Sequence, residues 1–497
     1  MKKLVSLILT VVLALSMGTI ACAGAQAEGE TVKLTWAMGT GDVAPIDNAM
    51  VLEELNKMSS ELIGVECDIQ YFQNDQLLIS IQSGEVFDIY FTCSWYNNFN
   101  QAVSQGLFAN LDGKVQEMAP DLYASMTEDV WELAHSSDGG LYAVPVKKDY
   151  AMMNFITYPA DKAAELGFEI PDRITAWSDL TDFLVAWKAT LADNEYPVLI
   201  GGNPAGMESS FDFIDRTAMI GCIFGTTDVV TAFDDPEVME RYRTMAEWYK
   251  LGLVNPDAAQ LNETSIDTTK ERIGFVQAWP GYDYSVSNGY NTDMTCFFGP
   301  NLSTDGVQGS MNALSVTLEE DEARMAAALK YIELCHTNQL FNDTMRYGVQ
   351  GYHWNYVTEE QSAACAGGVL RTEVGTSNYA PWGFSQPAYF ETSIAVSQEQ
   401  VDGVAKAPVM DQYDQYYDAI ATSANVSAMA GFTWDSSAFT ANLAEITAIK
   451  DEYYKDFATG TRPIDDVYDE FMQKMNDAGL QDMIADAQAQ LDAYLGK

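Results

Sequence analysis

Beyond its N-terminal segment the chain opens with three extended runs separated by helical stretches, and that order constrains the fold more than any other feature. Residues 31–38 (TVKLTWAM) alternate as a strand does, 67–72 (CDIQYF) form a second run and 88–93 (DIYFTC) a third. Between them, Met50, Leu55, Met58 and Leu62 recur at helical spacing, and residues 75–82 read as a helix stopped by Gly84. Strand–helix–strand–helix–strand order requires a parallel sheet with right-handed crossovers. The pattern continues with extended runs at 141–146 and 150–158, strands at 198–201 and 272–279, and helices at 177–191, 236–251 and 321–335. The last third reads as helices, with stripes Phe439-Leu443-Ile446-Ile449-Tyr453 and Val467-Phe471-Met475 and a closing helix over 481–495.

A chain of 497 residues exceeds one ordinary core, so two lobes are expected. Its 72 acidic and 26 basic residues leave a formal charge of −46. Nucleic acid and anionic lipid both call for a cationic face, so both are excluded as partners. The acid reads as a solvated exterior, and runs such as 319–322 and 465–466 read as helix starts, where negative charge is favoured.

Residues 1–27 read as an export signal: Lys2 and Lys3, an apolar run from Leu4 to Leu15, then small residues through Ala27. The run is shorter than the about 20 residues that span a bilayer. Two processing routes stand open, cleavage after Ala27 or lipid attachment at Cys22 on the outer face of the cytoplasmic membrane. The other six cysteines are scattered, and Cys67, Cys93 and Cys335 lie in apolar runs, as reduced core cysteines do.

Enzymatic motifs are missing. His135, His336 and His353 stand far apart, with no zincin spacing, and no G-x-S-x-G elbow, phosphate-binding loop or dinucleotide fingerprint occurs. Neither a metal nor a cofactor is expected. A carboxylate pair at glycosidase spacing leaves no sequence mark, so a secreted glycoside hydrolase stays as the enzymatic alternative.

Several phrases occur in a recognisable order: Gln82-Ser83-Gly84-Glu85-Val86-Phe87-Asp88-Ile89, Gly106-Leu107-Phe108-Ala109-Asn110-Leu111-Asp112, Gly140-Leu141-Tyr142-Ala143-Val144-Pro145 and Thr175-Ala176-Trp177-Ser178-Asp179. Together they resemble the family 1 extracellular solute-binding proteins of ABC importers, which are similar in fold to maltose-binding proteins. Tyr347-Gly348-Val349-Gln350-Gly351-Tyr352-His353-Trp354, Gly431-Phe432-Thr433-Trp434-Asp435 and the closing helix look like a clostridial lipoprotein branch.

The resemblance implies an α/β, two-lobe, periplasmic-binding-protein-like fold of type II, hinged, with a helical C-terminal region. Lobe 1 would hold residues 31–148 plus 297–340, and lobe 2 residues 149–296 plus 341–497. The chain would be a non-catalytic, monomeric receptor that captures an oligosaccharide for a membrane permease and its ATPase. A peptide or other polar solute is the alternative ligand.

Ligands of such folds sit beyond the carboxyl ends of strands. Aromatic rings cover sugar faces, and polar side chains hold the hydroxyls. Thr40 and Asp42 follow the first strand, Ser94, Trp95 and Tyr96 the third, and Trp279 and Tyr282 the 272–279 strand. Asp149 stands at the first lobe crossing, and Trp354 and Trp382 offer further stacking surface. The plain alternatives are core packing for each Trp and Tyr, and capping or pairing with Lys147 or Lys148 for the acids.

Overall fold

The computed structural model describes residues 31–39, 45–93, 96–136, 138–148, 150–262, 265–267, 269–278, 282, 284–379 and 393–497, without the side chains of 152, 286 and 418–423. Strands β1 (Val32–Gly39), β2 (Val65–Phe72) and β3 (Ile89–Thr92) alternate with helices Asn48–Ile63 and Asn74–Gln82. They pair in parallel, with Val32 opposite Val65 and Trp36 opposite Ile89. Strand β4 is Ala143–Pro145, and β11 (Met311–Leu314) returns from far along the chain to lie antiparallel between β3 and β4. The sheet order is thus β2-β1-β3-β11-β4.

One knot fixes this sheet to its covering helix. Asp88, in the phrase 82–89, accepts from the Thr35 backbone at 2.7 Å and holds Arg324 of helix Glu322–Thr337 through Nε at 2.6 Å and Nη2 at 2.8 Å. The same guanidinium donates to the Lys33 carbonyl at 2.7 Å. A planar fork of donors is what lets one residue join a carboxylate and a strand carbonyl at once. Asp321 caps the helix by accepting from the Arg324 amide at 3.0 Å, so the acidic run does mark its start.

A second core gathers on β5 (Met152–Pro159), β9 (Gly274–Ala278), β10 (Thr292–Leu302) and β15 (Asn425–Val426), in the order β15-β10-β5-β9. Trp177 and Trp248 stack at 6.3 Å in it, and Phe297 meets Trp177 edge-on at 5.3 Å. Helices Pro236–Lys250, Thr440–Thr459, Ile464–Asp477 and Leu480–Tyr494 cover it. A three-stranded sheet of β6 (Phe211–Asp215), β7 (Ile220–Ile223) and β8 (Val229–Thr231) packs beside it.

Among the described residues the chain passes between the two cores three times. Tyr150 and Ala151 lie in the first core and Ile156 in the second; Phe297 lies in the second and Leu302 in the first; Ala424 packs on the first and Met429 in the second. The second crossing falls inside β10, after Phe297. Residues beyond 340 do not all join the second core: Phe341, Met345 and Tyr379 bury in the first. Asn338 ends one helix and caps the next by accepting from Phe341, so helix Gln339–Tyr347 turns its apolar side onto the first core.

Residues 198–201 form no strand. Asn255 takes the ladder partner's place, accepting from the Ile200 amide at 2.9 Å and donating to its carbonyl at 3.0 Å. The six cysteines from Cys67 to Cys365 are all buried as thiols, in no disulfide, and among the described residues no helix is long and apolar enough to cross a membrane.

Candidate functional site

The crossings meet at a tyrosine-rich floor. Helix Gln412–Ser423 lies along the first crossing. Its Tyr416 hydroxyl, buried, donates to the Ala151 carbonyl at 2.9 Å, and Tyr417 reaches the Lys148 carbonyl at 3.4 Å. The Lys147 ammonium stands 5.0 Å from the centre of the Tyr417 ring. Burial brings the Lys147 ammonium down to about 8, and nearby Asp414 only partly restores it. Lys148 donates to Ser310 at 2.9 Å. Burial raises the Tyr413 phenol to about 12, with Arg346 and Tyr282 among the groups that act on it.

Two cavities flank the segment that leads into this helix. One, of about 490 Å³, lies on the face of the β5–β10 sheet turned away from the second core. Its floor is Met153, Phe155, Met294 and Cys296, and its wall is Tyr282 and Tyr284, whose rings lie 4.5 Å apart. The other, of about 360 Å³, is lined by Gln339, Ser393, Asp411, Tyr413, Asp414 and Tyr417. Both volumes suit small-molecule sites.

Of the residues expected from the sequence, Thr40, Asp42, Ser94, Trp95, Asp149, Trp279 and Trp382 lie outside the described residues, as does Cys22. Tyr282 is about one-third exposed and lines the larger cavity. Tyr96 and Trp354 do not offer open surface. Tyr96 is 2% exposed, and its hydroxyl donates to the Phe72 carbonyl at 3.1 Å. The turn that carries it is tied on both sides, with Thr92 Oγ1 donating to the Asn97 carbonyl and Asn97 to Phe91.

Trp354 is fully buried beside Tyr347 and Tyr356, and its indole donates to the Gly348 carbonyl at 2.6 Å. The phrase 347–354 is thus a structural knot. His353 accepts from the Val349 amide at 2.8 Å through Nδ1, which leaves Nε2 to donate to Asp47 at 3.1 Å. Asn378 donates to the same carboxylate at 2.9 Å, and these two hydrogen bonds, Asn378 first, hold the Asp47 pKa low. Gly348, at φ +94°, admits the imidazole where any Cβ would stand 2.6 Å from Nδ1.

The phrase 431–435 is structural too: the Trp434 indole donates to Asp486 at 2.8 Å, and Gln490 bonds both ways with Asp435. The sequence reading missed the hinge helix. Its signal was available in Tyr413-Asp414-Gln415-Tyr416-Tyr417, whose tyrosines at i, i+3 and i+4 share one helical face.

The three histidines occupy three separate places. His135 bonds to the Trp131 carbonyl, His336 to Ser125 and His353 to Asp47. Among the described residues no cluster of three or more His, Cys, Asp or Glu is arranged to hold a metal ion.

Two α/β cores, three chain crossings and a sheet order of 2-1-3-n-4 define the two-lobe fold of the solute-binding proteins. Solved structures of that class share it over nearly the whole chain. The N-glycan transport solute binding protein NgtS from Streptococcus pneumoniae is 19% identical, with a TM-score of 0.76 over 94% of this chain and 99% of that one. In complex with Man1GlcNAc or Man5GlcNAc the same protein gives 0.67 or 0.64. A solute-binding protein from Bifidobacterium longum infantis, described as binding HMO and associated with an ABC transporter, is 16% identical with a TM-score of 0.59, over 94% and 99%. The family model for a domain of unknown function, DUF3502, matches residues 428–496, which are the 431–435 turn and the three helices it clamps. No curated protein sequence matches the chain.

Proposed function

We propose that the chain is the extracellular receptor of an ABC importer, which captures an oligosaccharide between its lobes and delivers it to a membrane permease and ATPase without chemical change. The observation that carries this is the hinge: the chain crosses between two α/β cores at three described places, and helix Gln412–Ser423 sets Tyr416 and Tyr417 against the first of them. Rings of this kind cover the apolar faces of pyranoses. The glycan ligands named for the structural neighbours support a carbohydrate. The N-terminal segment supports export, by cleavage after Ala27 or by lipid attachment at Cys22, and the order of phrases across the second half supports the clostridial branch.

The test is calorimetry and thermal shift on the mature monomer, from Glu28 onward, with oligosaccharides and short peptides. Saturation by an intact oligosaccharide raises the melting temperature by mass action, about 2.7 kcal/mol at a hundredfold excess over Kd. Binding of peptides alone would overturn the sugar assignment. Cleavage of the glycan during incubation would overturn the receptor reading in favour of a hydrolase.

A further inference from the structure

The 490 Å³ cavity lies along the sheet face of the second lobe, beyond the hinge floor. We propose that it is a side pocket for a terminal ring or branch of the captured oligosaccharide, an inference that rests on the receptor reading above.

Its construction narrows the ligand chemistry. The floor is apolar, from Met153 and Phe155 of β5 and Met294 and Cys296 of β10, with Phe155 and Cys296 buried. One wall is the Tyr282–Tyr284 pair. Asp172, Arg173 and Lys406 also line it, with charges of both signs, while the Asp293 carboxyl is turned to the Tyr158 hydroxyl. An apolar guest would take water from these charged groups and return no hydrogen bond. An anion would meet a carboxylate, and a cation would meet a guanidinium and an ammonium. A neutral polyol suits both signs, because each hydroxyl donates and accepts. A pyranose adds an apolar face for the tyrosine wall.

The pocket also adjoins the hinge. Met153, on its floor, stands two residues beyond Ala151, which accepts from Tyr416 of the hinge helix. Lys406 and Val409 close the pocket from the segment that runs straight into that helix, and Met410 and Asp411 of the same segment line the 360 Å³ cavity on its other side. The pocket thus lies one segment away from the hinge helix, where a long or branched chain would reach it and a short one would not, so the pocket would select chain length or branching.

The experiment compares the wild type with Val409→Trp and Lys406→Ala. Both residues are exposed, so neither substitution disturbs a core, and matching melts in the absence of ligand check this. Calorimetry uses Man5GlcNAc beside Man1GlcNAc, and linear chito- and malto-oligosaccharides, each beside its disaccharide. Filling the pocket with Val409→Trp is expected to weaken the longer or branched member of whichever pair the wild type binds by about tenfold or more, which is about 1.4 kcal/mol. The disaccharide should keep its affinity within about twofold. Lys406→Ala should weaken the longer member in the same sense, by less. Equal effects of Val409→Trp on both members of the pair, or none on either, would overturn the side pocket and leave the receptor reading standing. A wild type that binds no glycan overturns both.

Discussion

Replacing Asp212 by Asn should stabilise the chain near neutral pH and leave it unchanged in acid. Asp212 lies in β6, 7% exposed, and accepts from Ser427 on the third crossing at 2.5 Å. Burial is the main force on its carboxyl, and Asp305 adds to it; the Ser427 hydrogen bond and Arg216 only partly offset these, so the group titrates at about 6 against an ordinary 3.8. Because the folded value is the higher one, the folded chain binds the proton more tightly than the unfolded chain. Below about pH 4 both states are protonated and nothing is lost. From pH 4 to 6 the unfolded chain has released its proton while the folded chain still holds it, and stability drains away. Above pH 6 the full penalty applies, ~3 kcal/mol at about 1.4 kcal/mol per unit. Asparagine keeps an oxygen for Ser427 and carries no charge, so it escapes this penalty. Thermal melts of both proteins from pH 4 to pH 8 should show a gap in Tm of several degrees at pH 7.5 that closes by pH 4. A gap that does not change with pH, or a wild type more stable at pH 7.5, would refute the reasoning.

Lys147→Met works by the opposite charge. The buried ammonium titrates at about 8, below its ordinary 10.5, so the variant should melt higher at pH 7, with its advantage shrinking between pH 8 and pH 10.5 in a pH series of melts. Gly348→Ala forces a Cβ to 2.6 Å from the His353 ring at φ +94°, and chemical denaturation should show a loss of ~2 kcal/mol or more; a neutral result would mean the knot yields freely. Arg324→Ala strands the Asp88 carboxylate, whose side chain is 9% exposed, and should cost ~3 kcal/mol in the same assay. Reductant should leave the melt unchanged, because the six described cysteines are buried thiols in no disulfide; a drop in Tm with dithiothreitol would reveal a disulfide.

The sequence by itself determined the local elements and the first sheet. Strand and helix periods act over a few residues, so β1, β2, β3 and the helices between them stand close to where the alternation put them, and the stripe Met325-Leu329-Ile332 is buried as its spacing requires. Cap chemistry is equally local, which is why the acids before Arg324 could be read as a helix start. Membership of a core is not local. Whether Phe341 joins the first lobe or the second depends on how helix Gln339–Tyr347 docks, and no period encodes that. Aromatic roles are decided the same way. Trp354 and Tyr282 both follow turn-rich phrases, yet one indole is spent on the Gly348 carbonyl in a closed knot while the other ring stands at a cavity. Only the tertiary structure brought Lys147, Tyr413 and Tyr417 to the crossing from positions far apart in the chain, because burial, and with it charge and exposure, is set by what packs from the rest of the molecule.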